Sequence, residues 1–150
     1  MFVVKIHDIV ETSKMSMEYN GALIDVLGSA KTDLDNGRLV VRDGNGYKYP
    51  ADTAATDLFL VTTPEKTYEN VSLTEFYNKA GKKIRAVRVM LGDIFGTTAF
   101  EGELAIGDKV MVKANTGELV ASELGPAVEF EVVEKRAIGG FPMIVVERIK

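Results

Sequence analysis

Leu104-Ala105-Ile106-Gly107-Asp108-Lys109-Val110-Met111-Val112-Lys113 runs into the turn Asn115-Thr116-Gly117 and out through Glu118-Leu119-Val120-Ala121, and this stretch decides the fold. Val110 and Val112 share one face of an extended segment, while Lys109, Met111 and Lys113 share the other. That period of two is what a half-buried antiparallel strand needs. Asn-Thr-Gly supplies residues that tolerate positive φ, so the chain can reverse and pair with itself. Val128-Glu129-Phe130-Glu131-Val132 alternates in the same way, with its acids outward. The core predicted from these two patterns comprises Val110, Val112, Leu119, Val128, Phe130 and Val132.

Working outward, the same grammar recurs. Asp35-Asn36-Gly37 precedes Arg38-Leu39-Val40-Val41-Arg42, and Asp43-Gly44-Asn45-Gly46 follows it, two further hairpin signals. Ala22 to Leu27, Asp57 to Thr63, Ile84 to Leu91 and Met143 to Ile149 are β-rich runs, and Asp93-Ile94-Phe95-Gly96 reads as a break. Ser72 with Glu75 three residues later forms a capping box and Gly81 can close it, which predicts one short helix over 72–81. Phe2-Val3-Val4-Lys5-Ile6 is an apolar, β-branched strand or arm, and residues 11–20 are irregular or weakly extended. The fold class expected is therefore mainly β: a compact β barrel or sandwich built from hairpins, with one short helix and an extended N-terminal arm. Residues 1–20 make the arm or irregular segment and 21–150 a single β domain. Within it, two β modules (21–65 and 84–150) flank a short helical linker (66–83).

Composition narrows the function classes. At 150 residues, 46% hydrophobic and 27% charged, the chain has ordinary globular material for one core. It has no cysteine, which removes disulfides, thiolate nucleophiles and Cys-based zinc sites together. No apolar run approaches the ~20 residues of a membrane helix, so no membrane partner is expected. The net charge of −4, from 22 acids and 18 bases, opposes a phosphate backbone and makes nucleic acid an improbable partner.

Motifs for chemistry are sparse. A single histidine, His7, cannot supply a multi-histidine metal site, and no cofactor is expected. Gly81-Lys82 is followed by Lys83 and lacks the upstream glycine of a phosphate loop; Gly44-Asn45-Gly46 lacks the third glycine of a dinucleotide fingerprint. In Asp33-Leu34-Asp35-Asn36-Gly37 the acids are two apart as in a calcium loop, but glycine falls one place early and no closing glutamate follows. The stretch reads as a turn. Glu101/Glu103 and Glu129/Glu131 sit at strand spacing on outward faces rather than converging in a cleft. Gly21-Ala22-Leu23-Ile24-Asp25 resembles the uridine-binding segment of trimeric dUTPases, whose remaining motifs are missing. The chain is accordingly not expected to be an enzyme. Lys79, Lys82, Lys83, Arg85 and Arg88 form the one basic cluster; Arg85 and Arg88, three apart, point to opposite faces of a regular strand.

Ala105-Ile106-Gly107-Asp108-Lys109-Val110 through Gly117-Glu118-Leu119-Val120-Ala121, with Phe130 to Glu134 and Val145 to Ile149 behind it, resembles the hairpin repeat of tailed-bacteriophage capsid decoration (cement) proteins. The resemblance covers residues 78–149. It implies a structural protein on the virion exterior, made in the host cytoplasm, that binds the major capsid protein and self-associates, often as a trimer. The candidate interface is Phe2, Val4 and Ile6 of the arm with Lys82, Lys83 and Arg85. Tail-tube or head-completion proteins, which carry a long hairpin for ring formation, are the alternative in the same class. A small-ligand or nucleic-acid-binding barrel is the alternative in another.

Overall fold

Leu58-Phe59-Leu60-Val61 is a run of four apolar side chains, all of them fully buried. A strand that is apolar on both faces needs cover on both, and two layers provide it. The computed structural model describes residues 8–14, 25–63, 79–123 and 125–150. Its strands are β1 (Val10–Lys14), β2 (Asp25–Ala30), β3 (Leu39–Asp43), β4 (Gly46–Lys48), β5 (Phe59–Val61), β6 (Lys83–Arg88), β7 (Ile94–Thr97), β8 (Lys109–Val112), β9 (Leu119–Ala121), β10 (Phe130–Ile138) and β11 (Phe141–Arg148).

β2 to β6 close into a five-stranded barrel in the order β2-β4-β3-β5-β6. Every junction is antiparallel except β2–β4, a parallel pair joining Ser29 to Gly46 and Ala30 to Tyr47. β1 and β7 to β11 form an antiparallel six-stranded sheet in the order β1-β7-β11-β10-β8-β9. Of the barrel and sandwich expected as alternatives, the barrel is present as a closed five-stranded unit, and it packs on a single six-stranded sheet.

Strand alternation divides the barrel wall between two cores. Val40, Phe59, Val61, Ile84 and Ala86 join Ala30, Leu34 and Tyr47 in the lumen, where Tyr47 meets Phe59 edge-on at 5.3 Å. Their neighbours Leu39, Leu60 and Val87 turn outward onto the sheet, against Phe95, Val110, Val112, Phe130, Val132, Ile144 and Val146. The rings of Phe95 and Phe130 meet at 5.7 Å and 83°, at the centre of this second core. Burying one such side chain is worth about 1.5–3 kcal/mol, and β5, like β3 and β6, places such side chains in both cores. All six core residues predicted from the sequence are buried here.

Three expectations change. Of residues 11–20, read as irregular or weakly extended, 11–14 belong to β1 (Val10–Lys14), which pairs with β7 as an edge strand. Ile94–Thr97, read as a break, is β7, held between β1 and β11. The short helix expected over 72–81 falls mainly outside the described residues; Ala80 and Gly81 form a turn, and there is no helix among the described residues.

Candidate protein-interaction surface

A buried polar knot fixes the barrel against the sheet. Asp8, Asp35, Asn36, Thr97 and Thr98 are almost fully buried, with Arg38 beside them. The Asp8 amide donates to Asp35 Oδ2 at 2.8 Å and the Asn36 amide to Asp35 Oδ1 at 2.9 Å. Arg38 Nε donates to Asp8 Oδ2 at 3.0 Å, and the Thr98 hydroxyl to Asp8 Oδ1 at 3.0 Å. Thr97 Oγ1 donates to the Gly37 carbonyl at 2.8 Å. Gly37 is at φ +79°, and a Cβ there would run into Thr97 Oγ1, so the close approach of turn to sheet requires glycine. Burial drives the Asp35 carboxyl up to about 6, assisted by the Asp8 charge and opposed by the two amides and Arg38. Burial works against the Arg38 cation, but its acidic neighbours Asp8 and Glu118 help hold its pKa above the usual value. Both Asp35 oxygens accept backbone amides, the arrangement of a structural lock.

The sequence-predicted interface residues divide. Phe2, Val4 and Ile6 lie outside the described residues. Lys83 and Arg85 fall on the outer side of β6, because Ile84 and Ala86 take the lumen side. Lys83 is exposed and Lys82 and Arg85 are half-buried, with the Lys82 carbonyl accepting the Ala30 amide at 2.8 Å. Arg88 lies on the opposite face from Arg85, with its guanidinium 5.1 Å from the Phe59 ring centre and its Nε 3.0 Å from Asp57.

The feature that the sequence reading missed is the length of the β10–β11 hairpin. β10 has nine residues and β11 eight. β8 accompanies β10 only at Phe130 and Glu131, and the turn before it bonds Val132 through Gly107 and Asp108. A β-bulge between Val132 and Glu134 then reverses the alternation, so that Lys135 stands opposite core residue Ile144. Lys135 to Gly140 are all exposed. The hairpin turns at Gly139 and Gly140, at φ +57° and +86°, the pair of positive angles a two-residue turn demands. On its outer face Arg136 grips Glu134 with Nε and Nη2 at 2.8 and 3.1 Å, and reaches Glu11 of β1 with Nη1 at 2.6 Å. Ile138 at the tip, Val133 at the bulge and Ile106 in the turn beside Val132 are 40%, 39% and 66% exposed. One sequence signal marks this extension. Val132-Val133 interrupts the alternation and Glu134-Lys135-Arg136 follows, three charges in a row with no face to bury.

The surface is therefore a ridge of strand and side chains rather than a cleft. Among the described residues no cluster of three His, Asp or Glu side chains could hold a metal ion, and no helix is long and apolar enough to cross a membrane. The model of the YonC prophage protein family matches residues 7–120. The chain belongs to that family. The YonC match takes in the barrel, β1, β7 and β8 and runs into β9, and leaves the β10–β11 hairpin beyond its end. No curated protein and no solved structure matches the chain.

Proposed function

We propose that the chain is a non-enzymatic structural protein of a phage particle, which binds the outer surface of the capsid lattice through its major capsid protein and stabilises the head. The observation that carries this reading is the projecting β10–β11 hairpin on a body whose barrel lumen is filled by its own side chains. Such a body offers surface, and surfaces serve protein contacts. Membership of a prophage family and the all-β build support it. The length of the same hairpin favours a second reading, a tail-tube or head-completion protein, since a long hairpin is how such proteins reach a neighbour in a ring.

The test is to induce the prophage carrying a tagged copy, separate full heads from tails, and probe each fraction. Decoration predicts the protein on heads, with heads lacking it disrupting at lower temperature. Recovery in tails or at the head–tail joint alone favours the second reading. Its absence from particles of either kind overturns both.

A further inference from the structure

The β10 edge is self-complementary. Past Val132 the strand runs on as Val133-Glu134-Lys135-Arg136-Ala137-Ile138, beyond the reach of β8. Exposed strand edges invite another strand, and the partner's register is set by side chains that must meet on a common face. For two copies of one strand related by a two-fold axis, residues that face each other must have the same parity. Four central registers then pair three or more residues of this segment with their mates. Centring on Glu134 or on Arg136 opposes two like charges on the outer face, the face that carries Arg136 to Glu11, with no opposite-charge pair in return, and centring on Ala137 makes no charge pair at all. Centring on Lys135 opposes one like pair, Lys135 to Lys135 of the other copy on the opposite face, but sets Glu134 opposite the partner copy's Arg136 and Arg136 opposite its Glu134, two attractive pairs, with small apolar Ala137 opposite Val133. In the same register Ile138 lands beside Val132 of the other copy, where the turn bearing Ile106 is bonded. Three of the five large apolar side chains exposed on the described surface, Ile106, Val133 and Ile138, are gathered at the two symmetry-related ends. Strand pairing between the copies stops at Val133, because the Val132 amide and carbonyl are already bonded to Asp108 and Gly107.

We infer that this edge pairs with a second copy of the chain, β10 against β10 in antiparallel register about Lys135, giving a two-fold dimer in place of the trimer implied by resemblance. An isologous contact of this kind closes on itself and does not propagate. It stands apart from which particle surface the protein occupies, so its failure leaves the proposed function untouched.

Sedimentation velocity over a concentration series tests it on the full chain. Wild type should pass from monomer to dimer with rising concentration. Glu134→Arg and Arg136→Glu singly place like charges opposite each other and should each weaken the dimer at least tenfold. The double variant E134R/R136E exchanges the charges and should restore dimerisation to within about threefold of wild type. Thermal midpoints identify any variant that misfolds, and Ile138→Lys, at an exposed tip, provides a further dimer-breaking variant. A wild type that stays monomeric, a trimer, or a dimer unmoved by both single changes would each overturn the inference.

Discussion

β5 and the outer half of β10 are both short stretches of strand in the same chain, and they are treated in opposite ways. Phe59-Leu60-Val61 has apolar side chains on both faces and two neighbouring strands, and it is fully buried. Among the described residues Lys135 to Ile138 has one paired neighbour, β11, and is exposed throughout. Burial on two faces makes β5 the hinge of stability, since each side chain removed opens a cavity in one of the two cores. The hairpin end contributes little to that core, which leaves its composition available for contact with other molecules. Stability and recognition thus occupy different strands.

Substitutions should separate the two regions sharply. Phe59→Ala in the lumen and Phe130→Ala in the second core should each cost about 3–5 kcal/mol in denaturant unfolding. Because both clusters include residues of β3, β5 and β6, each variant should still unfold in one transition. A biphasic curve with only one phase moved would break the picture of a shared wall. Arg38→Ala, at the joint between barrel and sheet, removes the cation from nearly buried Asp8. Its cost should be about 3 kcal/mol, the low end for an unpaired buried charge, because Arg38 keeps partial exposure.

The same joint predicts a pH dependence. Native Asp35 holds its proton up to about 6, whereas the unfolded chain releases it near 3.8. Between these values the native state binds the extra proton, so stability falls as pH rises through the interval, by at most about 3 kcal/mol. Asp35→Asn does not titrate, and its unfolding free energy should lose that slope between pH 4 and 6. A slope unchanged in the variant would assign the titration to another group. At the far end of the scale, Ile138→Ser should leave the denaturant midpoint where wild type has it. A clear drop would place the hairpin tip in the core after all.

What the sequence disclosed follows the range of the interactions. Val110, Val112, Leu119, Phe130 and Val132 were legible because alternation is a local pattern and their turns are built from Asn and Gly. The barrel was legible only as a class. Its closure depends on β2 running parallel to β4, a pairing whose register no turn between them specifies. Asp35-Asn36-Gly37 was recognisable as a turn, yet its partner Asp8 lies 27 residues away, and nothing local announces a buried lock. Phe95 was masked by its neighbours: Asp93 and Gly96 read as breakers, whereas β1 and β11 hold that segment as a central strand. The hairpin surface escaped because the bulge at Val133 shifts the period in mid-strand, so the alternation read up to Val132 cannot be continued.

Amide hydrogen exchange at two protein concentrations, one well below and one well above the monomer–dimer transition, tests the division between β5 and β10 most directly. The amides of Phe59 to Val61 should exchange only with global unfolding in both samples, slowing in the concentrated one only by the amount that dimerisation stabilises the whole fold. Those of Lys135 to Ile138 should exchange fast in the dilute sample, with the outward-pointing ones becoming protected in the concentrated one. Protection of the hairpin end equal to that of β5 in the dilute sample, or no gain with concentration, would contradict the account.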